Sequence, residues 1–306
     1  MIQVIYNGVD ITRNVSISRC YHDMYASGRS DTLNLRLNDA GNLWDTWSPQ
    51  RGDELQIVYG AIGTGAMFIS SARPENGAIS ITAQAAPFSG FDLQNKAWQQ
   101  VRLLQIGQEI AQRNGLNFIN YGVEDWLYPY ILQNNEGDFH LLHRLALREG
   151  CSIIIYDKNL ILYDERYMEA QSPSERFNLG IDALYKFDDR RFKLYGSCTV
   201  DNGTYSGSFS VDNGSARIHR PENGGSVGSN GEAQRFAKNL LRSVNKGCYC
   251  GYVHSRINPG YAAGSTVSLI SPRTPSWNGP VFIDHLRNDY ASGKSKTFFR
   301  KPLEGY

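Results

Sequence analysis

Long apolar runs are missing from this 306-residue chain: no stretch approaches the roughly 18 consecutive apolar positions that a membrane-spanning helix needs. A secretory leader is missing too. Met1-Ile2-Gln3-Val4-Ile5-Tyr6 has neither a basic start nor an extended apolar segment, so it reads as the first strand of a soluble protein made in the cytosol. Neither sign of charge is in surplus. Thirty-one Lys and Arg oppose thirty Asp and Glu for a net +1, which leaves no global pull toward nucleic acid or an anionic membrane. The five cysteines are an odd number, which argues against a disulfide framework. Cys248-Tyr249-Cys250 is spaced too closely for a zinc half-site, and no second pair completes it. These thiols read as reduced packing residues.

Catalytic signatures are also absent: there is no His-Glu-x-x-His, no Gly-x-Ser-x-Gly and no Walker loop. Ile62-Gly63-Thr64-Gly65 lacks the third glycine and the following helix of a phosphate loop, and reads as a hairpin turn. His140 and His143 are near one another at i, i+3 but would need two further ligands to hold a metal. His219, His254 and His285 fall in expected β segments and read as structural. Glu124-Asp125 beside Trp126, Tyr128 and Tyr130 raises two alternatives, an envelope-degrading peptidoglycan hydrolase and a carbohydrate-binding module. Adjacent carboxylates do not span a glycosidic bond, so the cluster reads as packing or interface. Asp188-Asp189-Arg190-Arg191-Phe192-Lys193 cancels its own charge and reads as a solvated strand edge. Asn202-Gly203-Thr204 and Asn213-Gly214-Ser215 match glycosylation sequons but read as type I′ turns. The sequence thus predicts no catalytic, cofactor-binding or metal residue.

What the chain does have is period-2 alternation. Leu33, Leu35 and Leu37 share one face, Leu55, Ile57 and Tyr59 another, and Ile79 and Ile81 a third. Half-buried antiparallel strands produce this pattern. Turn signals separate them at Asn7-Gly8, Asp39-Ala40-Gly41-Asn42, Arg51-Gly52-Asp53 and Glu75-Asn76-Gly77. Residues 1–88 therefore read as a small barrel or sandwich. Past Pro87 the period changes. Leu103, Leu104, Ile106, Ile110 and Ala111 predict a helix stopping at Asn114-Gly115, and Phe139, Leu142, Leu145 and Ala146 a second over about 138–149, stopped by Gly150. Ile153 to Tyr163 reads as a hairpin, giving a small α/β insertion over 89–168. A polar linker at 169–175 leads to a second β-rich segment, 169–306. Strands are expected there at 192–195, 205–211, 266–270, 281–283 and 296–299. A flexible glycine-rich loop is expected at 223–231, and an amphipathic helix at 232–245 carries Ala233, Phe236, Ala237, Leu240, Leu241 and Val244 on its apolar stripe. The layout is β-rich α+β, two similar β modules around a smaller insert.

Several stretches, in order, resemble the late control protein D family of phage baseplate hubs, related to the hub portion of type VI secretion spike proteins. Tyr6-Asn7-Gly8-Val9-Asp10-Ile11-Thr12 resembles the family's first hairpin. Gln133 through Ala146, with Asp138-x-x-Leu141-x-x-Arg144-Leu145-Ala146 and the Glu149-Gly150 stop, is similar to its helix-and-hairpin pattern. Glu232 through Leu241 resembles its late helix, Asn258 through Val267 its loop-glycine-strand element, and Trp277 through His285 its final strand. The resemblance implies two tandem tube-like antiparallel β-barrel domains and a homotrimer whose six modules form a pseudo-hexameric ring. Such a ring joins a hexameric tail tube, or a tube-initiator protein, to a trimeric central spike, with tape measure protein and baseplate wedge as further partners. It implies a non-enzymatic component of the tail baseplate of a virion or phage-like particle, contractile in the first reading though related hubs also serve non-contractile tails. Such a component is assembled in the bacterial cytoplasm, with no cofactor, no sequence-specific nucleic-acid binding and no membrane span. Lysozyme or needle functions would then belong to separate proteins.

Overall fold

Alternation in the first segment does bury one face: Leu33, Leu35, Leu37, Leu55, Ile57, Ile79 and Ile81 are each at most 2% exposed. The computed structural model describes residues 2–180, 183–221 and 227–306. The first segment contributes β1 (Ile2–Tyr6), β2 (Ser16–Tyr25), β3 (Thr32–Asn38), a one-turn helix α1 (Leu43–Trp47), β4 (Glu54–Tyr59), β5 (Met67–Glu75) and β6 (Ala78–Gln84). Asn7 and Gly8, both at positive φ, turn β1 back on the two-residue strand Val9–Asp10. The turn of the next small hairpin lies at Gly60-Ala61, so Ile62–Gly63, expected as a turn, is its short return strand.

Next come β7 (Leu93–Arg102), α2 (Leu103–Arg113), β8 (Asn117–Tyr121), β9 (Leu127–Gly137), α3 (Asp138–Arg148), β10 (Cys151–Tyr156), β11 (Asn159–Asp164) and α4 (Glu165–Glu169). β7 and β9 form a two-stranded ribbon, and β8 runs parallel to β11 of the β10–β11 hairpin. Both predicted helices form, burying Leu103, Ile106, Ile110 and Ala111 on one and Phe139, Leu142, Leu145 and Ala146 on the other. Glu169, expected in the linker, instead ends α4 and is buried.

The last segment holds β12 (Arg176–Asn178), β13 (Tyr185–Asp189), β14 (Ser197–Asp201), β15 (Ser206–Ser210), α5 (Asn230–Asn245), β16 (Tyr249–Arg256), β17 (Thr266–Ile270), β18 (Gly279–Asp289) and β19 (Lys294–Arg300). Three expectations change here. The strand expected at 192–195 is a 3-10 turn, Arg191–Lys193; the Asp189 carboxylate accepts the Arg191 N–H at 3.1 Å and bends the chain away. Asn202 and Asn213 are outside the positive-φ region a type I′ turn requires. Each instead accepts backbone N–H groups two residues on, forming Asx turns. Of the loop expected at 223–231, residues 223–226 lie outside the described residues. The rest is ordered: Ser229 Oγ accepts the Glu232 N–H at 3.2 Å, and Glu232 returns a carboxylate to the Gly228 N–H at 2.5 Å. This reciprocal cap starts α5 at Asn230, three residues before Ala233, the first residue of the apolar stripe. α5 lies directly on β15, because a Cβ on Gly207 would collide with the backbone of Ala233 and Gln234.

One fourteen-stranded sheet spans both β segments. Its order in the first is β2-β3-β6-β5-β4-β1 and in the last β13-β16-β19-β18-β17-β12. Numbering each set of six from one to six, both read 2-3-6-5-4-1. The sets differ at one pairing: β1–β4 is antiparallel and β12–β17 parallel. Finer details repeat. β5 carries a register shift against β6 between Ile69 and Ser71, and β18 one against β19 between Ile283 and His285. Gly52, at φ +95°, donates to Ile69 O while the Ile69 N–H returns to Asp53 O; Gly264, at φ +86°, and Ser265 make the same pair of bonds with Ile283. Only glycine takes such backbone freely. Among the described residues the pairings form an open path and close no ring, because the β2 edge that would meet β1 in a barrel pairs with β18 instead.

Candidate functional site

The acidic-aromatic stretch before β9 comes apart in three dimensions. Asp125 Oδ1 accepts the Leu104 N–H at 3.0 Å, serving the N-terminus of α2. Tyr128 is buried and donates its hydroxyl to Glu149 Oε1 at 2.7 Å. Tyr130 is exposed. Period-2 alternation alone would put Trp126, Tyr128 and Tyr130 on one face. Pro129 lacks an N–H, and Gln100 on the paired strand adopts positive φ at 48°. Beyond that point the phase inverts, and Ile131 and Gln133 face inward. The sequence signal for this is the proline within the strand.

A cleft of about 670 Å³ opens beside Trp126, lined also by Glu124, Glu149, Asp164, Arg235 and Lys238. Arg235 stacks on the Trp126 ring, 3.9 Å from its centroid. Its Nε and Nη2 donate to Glu149 Oε2 and Oε1 at 2.7 and 3.0 Å, a bidentate clamp. Asp164 Oδ1 caps α4 through the Tyr167 N–H at 2.7 Å. Two of the cleft's carboxylates are thus occupied, Glu149 in clamping α5 to the insertion and Asp164 in capping α4, which gives the cleft the chemistry of a packed polar seam.

The histidines separate likewise. His140 is exposed, edge-on to Phe91. His143 is half-buried, its pKa held down by burial and then by Lys246 and His140. Among the described residues no group of three His, Cys, Asp or Glu could hold a metal. Burial raises the Cys248 and Cys250 thiols. His285 lies flat between Tyr25 and Phe298, with ring centroids 4.5 and 4.7 Å away, and its Nε2 is 2.7 Å from Asp23 Oδ1. Arg287 Nε and Nη2 donate to the same carboxylate at 2.7 and 3.0 Å. Burial opposes the Asp23 anion, but these two partners hold its pKa below the usual carboxylate range. Asp23, His285 and Arg287 therefore bolt β2 of the first segment to β18 of the last.

A second charged cluster sits where α4, α5 and β19 meet, and sequence reasoning missed it. Arg242 and Arg300 are at most 2% exposed. Arg242 Nη1 and Lys246 Nζ lie 2.9 and 2.6 Å from the Glu165 carboxylate, and Arg300 Nη2 3.3 Å. Glu169 bonds Arg300 and is 2.6 Å from Arg242 Nη2; Asp284 is 2.9 Å from Arg300 Nε. Burial would push the Glu165 carboxyl up, but Lys246, Arg300 and Arg242 outweigh it and hold the group at about 2. A buried cation surrounded by carboxylates fixes geometry because no partner can leave cheaply.

The remaining surface feature is strand edge. β13 ends the sheet path on one side. His254 N–H bonds Leu184 O and Arg190 N–H bonds Cys248 O, so alternation turns the backbone groups of Tyr185, Phe187 and Asp189 outward. β5 pairs with β4 only through Met67 and Phe68, which leaves its outer edge from Ser71 to Glu75 without a strand partner among the described residues. Arg73 on that edge makes no ion pair with any described residue.

No family model and no curated protein matches the chain. Solved structures do. The 43 kDa tail protein of prophage MuSo2 from Shewanella oneidensis superposes with a TM-score of 0.76 at 12% identity, over 98% of this chain and 97% of that one. A tail protein from Neisseria meningitidis MC58 gives 0.76 at 11%, over 98% and 95%. The E. coli c3393 protein, a type VI secretion component structurally similar to the T4 tail proteins gp27 and gp5, gives 0.64 at 11%, over 99% and 78%. The chain has the fold of these tail and secretion-system proteins.

Proposed function

We propose that this chain is a structural baseplate hub of a phage or phage-like contractile tail, a homotrimeric adaptor between a hexameric tail tube and a trimeric central spike. The observation that carries this reading is the repeated 2-3-6-5-4-1 strand order within one chain. Two like modules per copy let three copies present six similar units to a sixfold tube while keeping threefold symmetry for a spike. In this reading 1–88 and 169–306 supply the two tube-like barrel modules, and 89–168 is a lateral insertion. The work is interface formation, without bond making or breaking, in a virion baseplate assembled in the host cytoplasm; tape measure and wedge proteins lie further out. Likeness in fold to tail proteins of two bacterial genomes supports the assignment.

Co-assembly tests it. Native mass spectrometry of the chain mixed with tail tube and spike proteins from the same genome should give complexes containing three copies. A chain that binds neither, or that enters such complexes in two or four copies, would overturn the assignment.

A further inference from the structure

We propose that the outer edges of β13 and β5 are two halves of one intermolecular junction. β13 of one copy pairs antiparallel with β5 of the next, Asp188 opposite Arg73 and Lys186 opposite Glu75. The inference rests on the hub reading and specifies its self-contact.

Its argument is the junction that the chain already contains. Strand two of the first module, β2, pairs with strand five of the second, β18: Tyr25 opposite His285, Asp23 opposite Arg287 and Tyr21 opposite Asp289. If the six modules of a ring meet alike, strand two of the second module, β13, meets strand five of a neighbouring first module, β5. The register follows from counting. The register shifts in β5 and β18 align Ser71 with His285, hence Arg73 with Arg287 and Glu75 with Asp289. Phe68 faces Gln84 as Phe282 faces Arg300. Gln84 faces Thr32, which faces Asp23; Arg300 faces Cys250, which faces Asp188. Asp188 therefore stands where Asp23 stands. Placing β13 against β5 as β2 lies against β18 sets Arg73 across from Asp188, as Arg287 is across from Asp23.

The side chains agree with a register they played no part in choosing. Arg meets Asp, and Glu meets Lys; a slip of two residues in one direction would put Glu75 against Asp188. In the lone chain Asp188 is held by Arg190 Nε at 2.7 Å and stays partly exposed, within reach of a second guanidinium. On the other face Phe187, stacked on Trp277, would pack against Pro74. The backbone is complementary with one exception. Tyr185, Phe187 and Asp189 offer outward groups, and the equivalence turns those of Ala72 and Pro74 toward them. Pro74 has no N–H, so this junction has one ladder bond fewer than β2–β18. A proline on an open edge also discourages random strand addition, which suits a contact made only on assembly.

The test is a disulfide across a non-hydrogen-bonded pair, where Cα atoms lie about 4.5 Å apart. Glu75→Cys/Lys186→Cys leaves Arg73 and Asp188 in place; Arg73→Cys/Lys186→Cys is the out-of-register control. Both are oxidised in the presence of tube and spike proteins, then read by non-reducing electrophoresis and native mass spectrometry beside the unmodified chain. Linked trimers from the first pair and none from the second support the junction. Trimers that lack the link, or a link from the control, overturn it and leave the hub reading standing. Linked ladders longer than three keep the junction and overturn trimeric closure; monomers throughout overturn both. Independently, Arg73→Glu should weaken self-association about tenfold, and Arg73→Glu/Asp188→Arg should restore it to within about threefold. A double swap no better than the single one removes the pairing.

Discussion

Replacing Glu165 by Gln keeps the shape of the buried cluster under α5 and removes one charge. A carboxyl held at about 2 against an ordinary 4.5 is favoured as the anion by about 3 kcal/mol, at 1.36 kcal/mol per tenfold in proton affinity. Removing one partner of a buried ion pair costs about 3–5 kcal/mol because the others stay desolvated. The two routes agree, so Glu165→Gln should lose about 3–5 kcal/mol at pH 7 in urea unfolding. The sign of the pH effect follows. The folded value lies below the unfolded one, so the contribution is complete above about pH 4.5 and disappears as pH falls toward 2. The gap between parent and variant should close over that window, since a protonated Glu and a Gln are then nearly alike. The comparison is Glu54→Gln, which breaks the half-exposed Lys158 pair and should lose under about 1 kcal/mol. A Glu165→Gln loss below about 1 kcal/mol, or one unchanged between pH 7 and pH 2, refutes the argument.

Burial holds the His22 imidazole at about 4, with Asp23 opposing part of the drop. The unfolded chain therefore takes up the proton first, and about 3 kcal/mol of stability should be lost between pH 6.5 and 4. His22→Leu should flatten that window, and an unchanged slope in urea unfolding at pH 7, 5.5 and 4 would assign it elsewhere. Gly207→Ala forces a Cβ into the α5 backbone and should destabilise by about 1–3 kcal/mol or more; a thermal midpoint within a degree of the parent would mean that α5 does not press on β15.

Strands whose apolar residues alternate were readable because burial on one face leaves a local trace: Leu33, Leu35 and Leu37 announce their own sheet face. The helices around Ile106, Leu142 and Phe236 announce themselves by spacing and by stops or caps at Gly115, Gly150 and Ser229. Features set by distant partners left no such trace. Arg300 and Glu165 are ordinary charged residues until folding brings them together across 135 positions. The split of Trp126, Tyr128 and Tyr130 depends on Gln100, a residue on another strand. The likeness of the two modules could be suspected from their β content, but their matching strand order is carried by pairings and not by side-chain identity. Gly52 and Gly264 are among the few positions where a backbone demand leaves the same residue in both.

The bond between Asp23 and Arg287 has a consequence for synthesis. Its two ends are 264 residues apart, and ribosomes add about 5–20 residues per second. The inner edge of β2 emerges with nothing to cover it for roughly 13 to 50 s, far longer than a hairpin needs to form. Until the last strands arrive, the first module is an open template for any other strand, including those of a neighbouring nascent chain. Slower translation, or truncation anywhere before β18, should therefore show up as aggregation originating in the amino-terminal part of the protein.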